Sequence, residues 1–135
     1  MMLYVNGSDI ARVVLGVLDD GASAFLVDPV VIDASPEQFL ARVDEFLKSH
    51  EGSMTGIVAV LGPGSATALR TSLTMVNALA FAKSIPTFGV ELAPGADDRS
   101  FLVSLHGASP VPMARPVYTA PAKITVSTKD ALGRR

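Results

Sequence analysis

The stretch that decides the fold is Ile57-Val58-Ala59-Val60-Leu61-Gly62-Pro63-Gly64-Ser65. Its first five residues are apolar and mostly β-branched, which is typical of a strand buried on both faces. The glycines and proline at 62–64 end that strand, and Ser65 or Thr67 can cap a following helix. A helix over residues 64–84 would be about 30 Å long. Residues 85–90 then favour a short strand, so the pattern predicts a βαβ unit with a right-handed crossover.

The predicted helix carries two apolar stripes, which is more than a helix lying on a sheet in water requires. The first consists of Ala66, Leu69, Leu73, Val76 and Ala80, and the second of Ala68, Met75, Leu79 and Ala82. A polar sector contains Arg70, Thr74 and Asn77, together with Phe81. We expect the sheet to cover one stripe. The second cover is either a neighbouring helix of the same chain or another polypeptide.

Composition limits the class of protein. The 135 residues suit one domain, and 49% hydrophobic against 18% charged residues favours a partner surface. A net charge of −2 argues against a direct nucleic-acid grip. The absence of cysteine excludes disulfides and thiolate chemistry and is typical of a reducing cytoplasm. Because no apolar stretch is long enough to cross a bilayer and the start lacks a leader pattern, we expect a cytoplasmic protein without membrane contact.

The segment before the βαβ unit predicts three strands joined by short turns. We place the strands at residues 2–5, 10–18 and 24–32, and the turns at 6–9 and 19–21. The second turn, Asp19-Asp20-Gly21, is of the Asp-Gly hairpin kind. Pro29 marks the third strand as an edge strand or a bulge, because proline cannot donate to a ladder. The three strands form an antiparallel meander.

A first helix follows the meander. Ser35 as N-cap, Pro36 and Gln38 form its start signal, and Phe39, Leu40, Val43, Phe46 and Leu47 recur at helical spacing. The resulting order β-β-β-α-β-α-β indicates an α/β, ribonuclease-H-like fold, the class of actin- and Hsp70-type ATPases. A flavodoxin-like sheet would need helices between the first strands, and the spacing leaves no room for them. We assign residues 1–91 to this core and residues 92–135 to a loop and an extended C-terminal segment packing on it.

Few residues suggest chemistry. A possible anion-binding turn comprises Gly62, Gly64, Ser65 and Thr67, because backbone N–H groups at a helix start attract anions. It matches neither a Walker A loop nor the dinucleotide-binding glycine pattern, so a structural turn is favoured. His50 and His106 lack neighbours at zinc-ligand spacing. Asn6 stands where nucleotide-binding members of the fold keep an aspartate, and it lacks the charge that Mg²⁺ prefers. We therefore predict no catalysis, metal or cofactor.

Gly62-Pro63-Gly64-Ser65-Ala66-Thr67-Ala68-Leu69-Arg70 resembles the motif Gly-Pro-Gly-Ser-Phe-Thr-Gly-Leu-Arg of the TsaB (YeaZ) family at seven of nine positions. Ala78-Leu79-Ala80-Phe81 and Ile85-Pro86-Thr87-Phe88-Gly89-Val90 extend the resemblance. Arg115-Pro116-Val117-Tyr118, with Pro121 and Ile124-Thr125, is similar to the C-terminal segment of the family. The family's N-terminal Asp-Thr-Ser is replaced by Asn6-Gly7-Ser8.

The resemblance implies a non-catalytic partner subunit in bacterial synthesis of tRNA threonylcarbamoyladenosine, the modified adenosine next to the anticodon. Such proteins pair with themselves, or with the catalytic transferase TsaD, through two helices that form a four-helix bundle, and the ATPase TsaE is a further possible partner. We place the interface on Phe39, Arg42, Val43, Phe46, Arg70, Leu73, Asn77 and Phe81.

Full-length relatives carry a second lobe after the Gly-Val strand, whereas 45 residues follow Val90 here. The resemblance therefore implies a minimal form, in which residues 92–135 are the remnant of the second lobe. Two alternatives remain at this point. One is a stand-alone nucleotide- or phosphate-binding domain of the same fold, and the other is a homodimer without a role in tRNA modification.

Overall fold

The computed structural model describes residues 1–10, 12–33, 36–50, 53–93, 95–102 and 109–117. The elements are β1 (Met2–Asp9), β2 (Arg12–Leu18), β3 (Phe25–Asp33), α1 (Pro36–Ser49), β4 (Gly56–Gly62), α2 (Ala66–Lys83), β5 (Thr87–Glu91) and a 3₁₀ turn (Ser100–Leu102). The predictions for Ser35, His106, Tyr118, Pro121 and Ile124-Thr125 fall outside the described residues.

The strands form one mixed sheet in the order β3-β2-β1-β4-β5. The pairs β1–β2 and β2–β3 are antiparallel, whereas β1–β4 and β4–β5 are parallel. This is the ribonuclease-H-like arrangement, and the predicted fold class is confirmed. β3 lies at the edge of the sheet and contains Pro29, as predicted, and the register with β2 shifts beside it, between Leu15 and Val17.

The first strand is longer than predicted. The turn expected at residues 6–9 is absent, and β1 continues to Asp9, with Asn6 opposite Val14 and Asp9 opposite Arg12. Asn-Gly-Ser favours a turn as an isolated segment. Here Asn6 stays paired with Val14 of β2, and the register of the ladder shifts between Asn6 and Asp9. The Asn6 side-chain oxygen accepts the Ser8 N–H at 3.2 Å, a local bond of the Asx-turn kind, within a strand that continues to Asp9.

The connection between β2 and β3 also differs from the prediction. It spans residues 19–24, which is longer than the predicted turn at 19–21, and Ala22 adopts a positive φ of 52°. The Asp19 carboxylate accepts the Ser23 N–H at 2.7 Å, the Ser23 hydroxyl at 2.6 Å and the Ala24 N–H at 3.2 Å. The side chain of Asp19 therefore organises this loop.

Each face of the sheet has its own core. Leu3, Val5 and Ala59 point to the face that both helices cover, where Phe39 and Val76 pack. Alternate residues point to the opposite face, which is covered by Leu92 and Phe101 from the segment after β5. Residues Ile57 to Val60 of β4 are at most 1% exposed, which confirms the predicted burial on both faces.

Helix α2 begins and ends on specific caps. The Ser65 hydroxyl oxygen accepts the Ala68 N–H, and Ser84 adopts a left-handed conformation after the last turn. Both predicted stripes contribute to the core, through Leu69, Leu73 and Val76 from the first and Ala68 and Met75 from the second. The outer members Ala66 and Ala82 are exposed. Side chains of the sheet and of α1 belong to the same core as these α2 residues. Elements of this chain therefore contact residues of both stripes.

Residues 109–117, which we call the C-terminal strap, fasten β4, β5 and α2 together. The Val111 N–H donates to the Thr87 carbonyl at 2.7 Å, and the Val117 N–H donates to the Leu61 carbonyl at 2.7 Å. Between them, the Asn77 side chain donates to the Ala114 carbonyl at 3.0 Å and accepts the Ala114 N–H at 2.8 Å. Ala114 is buried in the helix-side core, so the strap is part of the packing of α2.

The loop at Asp19 predicts a defined pH dependence. Its bonds from Ser23 lower the pKa of Asp19 below the usual value in the folded chain. The ionised carboxylate therefore stabilises the fold above its unfolded pKa of about 3.9, and this contribution disappears as the pH falls through the lower folded pKa. We expect Asp19→Asn to lower the urea midpoint at pH 7 and to flatten the loss of stability in acid.

The control for this experiment is Asp44→Asn. It removes an exposed carboxylate that pairs with Lys48 across one helical turn, an ion pair that contributes little. An Asp19 carboxyl resonance that titrates at the usual value, or equal effects of the two substitutions, would contradict the assignment.

Candidate functional site

A cleft of about 590 Å³ lies at the carboxyl ends of β1 and β4. These two strands are parallel neighbours, and the chain runs to β2 on one side of β1 and later returns to β4 on the other. Ligands of open α/β sheets bind at such a reversal of strand order. The cleft has polar walls, which include Asn6, Ser8 and Asp98, and apolar ones, which include Val14 and Val31. It is the candidate ligand site of this chain.

Asn6 and Ser8 of β1 line the polar part of the cleft, and Tyr4 lies next to Asn6 in the core. Tyr4, Asn6 and Ser8 share one face of the strand because side chains alternate along it. The Tyr4 hydroxyl donates to Asp98 Oδ1 at 2.5 Å, and the Asn6 amide donates to the same oxygen at 2.7 Å. Asn6 Oδ1 in turn accepts the Ser8 hydroxyl at 2.8 Å. We call Tyr4, Asn6 and Asp98 the Asp98 cluster.

Tyr4 acts as an anchor of this cluster. Its ring is fully buried, stacks on Phe101 with 5.0 Å between centroids and meets Phe25 edge-on at 5.3 Å. Burial, and then the hydrogen bond to Asp98, raise the pKa of the Tyr4 phenol far above its usual range. The phenol therefore stays protonated at any physiological pH and donates a permanent hydrogen bond to Asp98.

Asp98 is brought to the cleft by the segment that covers the second face of the sheet. The adjacent Arg99 donates to Asp28 Oδ1 on β3 at 2.7 Å and lies over the Phe25 ring at 5.8 Å. Asp98 is absent from the residues predicted from the sequence, because 92 residues separate it from Asn6 and no spacing links the two. A loop that is distant in sequence thus places the carboxylate of Asp98 beside Asn6, which has no acidic group of its own.

The predicted anion-binding turn packs against the end of β1. The Ser65 N–H donates to the Ser8 carbonyl at 2.9 Å, so one of the donors at the helix start is already used. A Cβ on Gly64 would lie 2.6 Å from Ser8 Cβ, which shows that this contact requires glycine. Gly62 has a φ of 132°, and Thr67 is exposed on the first turn of α2. The features described here are those of a structural turn. Anion binding by Gly62, Gly64, Ser65 and Thr67 stays a prediction.

The structure changes the membership of the predicted interface. Four of its eight residues are buried in the helix-side core, namely Phe39, Val43, Phe46 and Leu73. Helical periodicity identifies an apolar face, but it does not distinguish a sheet from a partner as the cover. Asn77 is half-buried, and its amide is bonded to Ala114. Arg42, Arg70 and Phe81 remain exposed on the helices.

The described ranges offer neither a metal centre nor a membrane span. They contain no group of three or more histidine or acidic side chains arranged to hold a metal ion. Neither of their helices combines the length and apolar composition needed to cross a membrane. His50 lies at the end of α1, as predicted, with Nδ1 2.8 Å from the Phe46 carbonyl oxygen.

Comparison with known proteins places these features in context. The family model described as "TsaD: tRNA N6-adenosine threonylcarbamoyltransferase" matches residues 31–94. YeaZ from Pseudomonas aeruginosa superposes with a TM-score of 0.54 at 24% identity, over 67% of this chain and 43% of that one. The fold is YeaZ-like. The resemblance stated from the sequence is therefore confirmed at the level of the fold, and the family-model match falls on the same part of the chain as the motif at Gly62–Arg70.

A second structure, an uncharacterised protein with similarity to peptidase YeaZ from Pseudomonas aeruginosa, gives the same TM-score of 0.54 at 24% identity, covering 67% of this chain and 42% of that one. A RuvC structure from Thermus thermophilus matches at a TM-score of 0.46 and 20% identity, over 69% of this chain and 61% of that one. No curated protein sequence matches. The YeaZ-like chain spans less than half the length of either YeaZ-related structure.

The Asp98 cluster predicts a specific order of stabilities. Asp98→Ala leaves the buried Tyr4 hydroxyl without its acceptor and should cost about 1–3 kcal/mol. Asp98→Asn keeps an oxygen at the Oδ1 position and should cost less. In a double-mutant cycle, Tyr4→Phe and Asp98→Ala should couple by about 0.5–3 kcal/mol, because each removes the same bond. Urea denaturation measures the stability loss of Asp98→Ala, that of Asp98→Asn and the coupling energy. If the losses of Tyr4→Phe and Asp98→Ala simply add in the double mutant, the bond between the two residues is contradicted.

Proposed function

We propose that this chain is a TsaB-like, non-catalytic scaffold subunit in tRNA threonylcarbamoyladenosine synthesis, and that it binds a TsaD-like transferase through its helices. The family-model match over residues 31–94, the YeaZ-like fold and the Gly62–Arg70 motif support the proposal. The main observation behind the proposed binding is the composition of the outer face of α2.

The outer face of α2 contains few charges. Its exposed residues are Ala66, Thr67, Arg70, Thr74, Ala78, Phe81, Ala82 and Lys83. Helices that face water usually carry charged and polar residues on that side. Here the Phe81 side chain is 89% exposed on a surface of alanine and threonine. Small residues allow close approach of a second helix, and aromatic and arginine side chains dominate the energetics of many interfaces. This face therefore fits a protein partner, with Phe81 as its anchor.

The outer face of α1 is different. Lys48 pairs with Asp44 at 2.9 Å, and Arg42 lies 3.7 Å from Glu45. Such ion pairs between exposed groups are typical of a solvated helix face. We therefore place the centre of the contact on α2, with Arg70 and Phe81, and assign Arg42 to its rim.

The proposal includes further partners. The same face of α2 can pair with a second copy of the chain when the transferase is absent, and a TsaE-like ATPase would join the assembled complex. The non-catalytic role is proposed from the resemblance of the Gly62–Arg70 segment to the TsaB (YeaZ) motif. The description of YeaZ as a peptidase belongs to one related structure, and we propose no peptidase activity for this chain.

Phe81→Glu tests the contact surface. A buried, unpaired carboxylate at the interface costs several kcal/mol, so we expect at least a tenfold loss of affinity for the transferase from the same genome. The folded monomer should tolerate the change because Phe81 lies in solvent. Leu26→Glu is the matched control, since Leu26 is a similarly exposed apolar residue on the edge strand β3. Calorimetry or light scattering with the purified transferase measures the result.

Unchanged binding by Phe81→Glu, or equal loss in Leu26→Glu, would show that another surface makes the contact. No complex at micromolar concentrations would count against the scaffold role itself. Depletion of this protein should also lower the threonylcarbamoyladenosine content of tRNA, measured by mass spectrometry of nucleosides, and an unchanged content would overturn the proposed pathway.

A further inference from the structure

The cleft beside the Asp98 cluster has a mixed lining. It includes the polar residues Asp98, Asn6 and Ser8 and the apolar residues Val14 and Val31 of the antiparallel strands. Its volume of about 590 Å³ lies within the range of small-molecule sites. A ligand that fills it would meet an acidic group at one end and an apolar surface along its body.

The Asp98 carboxylate is held in one orientation. Tyr4 and Asn6 both donate to Oδ1, and among the described residues no hydrogen bond reaches Oδ2. Because two donors fix the side chain before any ligand arrives, little rotamer entropy is lost on binding. Asp98 also lines the cleft and is only partly buried. Oδ2 is therefore a preorganised acceptor that a ligand can reach.

The electrostatics of the cleft favour a cation over a phosphate. Asp9 lines the same cleft as Asp98, so two carboxylates would face an anion there. The Ser65 N–H, which a phosphate would need, already donates to the Ser8 carbonyl. Arg12 also lines the cleft, with its Nε 3.9 Å from Asp33 Oδ1, so one cationic side chain stands there against the carboxylates of Asp9 and Asp98.

We propose that this cleft binds a small organic ammonium ion. The ammonium group donates to Asp98 Oδ2, and the aliphatic body lies against Val14 and Val31. Hydrogen bonds between charged partners are stronger than neutral ones, so the carboxylate provides both orientation and selectivity. The inference is independent of the scaffold role, because the cleft and the outer face of α2 use different residues.

The test is a titration of the full chain, followed by amide NMR shifts, with n-butylammonium as the probe. We expect saturable shifts at Ser8, Val14 and Asp98 at millimolar concentrations. The probes n-butyrate and n-butanol have the same aliphatic length and should give weaker effects. Asp98→Asn preserves the shape of the side chain and its bonds from Tyr4 and Asn6, and it should lower the affinity for n-butylammonium at least tenfold. Asp44→Asn, on the solvated face of α1, is the matched control and should leave it unchanged.

Several results would overturn the inference. They are the absence of saturation with n-butylammonium, equal or tighter binding of n-butyrate or of Mg²⁺ with ATP, and unchanged affinity in Asp98→Asn with the fold intact by its amide spectrum. Phe81→Glu should bind n-butylammonium normally. Failure of this proposal is thereby distinguishable from failure of the scaffold proposal, which the transferase experiment measures separately.

Discussion

Burial of β1 and β4 on both faces is the constraint that organises this structure. These parallel strands occupy the middle of the sheet, and residues such as Tyr4 and Val58 have no exposed surface. A strand of this kind is stable only when both faces of the sheet are covered. Two helices cover one face, while a short segment after β5 covers the other through aromatic stacking on Tyr4. The same segment delivers Asp98 to the cleft, so the requirement for cover also creates the candidate site.

The order of elements was predictable because its signals are local. The run Ile57 to Leu61, the Ser65 cap and the edge position of Pro29 each act within a few residues, and all three appear as expected. The errors occurred where strand pairing or a specific side-chain bond overrides the local preference of a residue for a turn. Asn6 has the local preference of a turn residue, yet the ladder with β2 holds it in a strand. The loop at residues 19–24 depends on side-chain bonds from Asp19 that composition alone does not indicate.

The site was less predictable than the fold. Periodicity identified two apolar stripes on α2 but did not say which of them faces the sheet. The interface predicted with the help of the family resemblance therefore includes residues such as Val43 and Leu73, which are buried within this chain. The sheet, α1 and the C-terminal strap account for the cover that these residues need. What remains on the outside of α2 is a small-residue surface around Phe81, which becomes visible only when burial is known. Asp98 could not be found from its spacing, because a separation of 92 residues carries no local pattern.

The bond pair between Asn77 and Ala114 has a consequence for any docking event on α2. One helical turn separates Asn77 from Phe81, so the strap backbone is bonded to α2 one turn before the exposed ring. A visiting molecule would therefore meet a surface built from two parts of the chain that are distant in sequence. Proteolytic removal of the strap would leave the Asn77 amide and the Thr87 and Leu61 carbonyls to solvent, and it would alter the neighbourhood of Phe81 without changing a single residue of the helix.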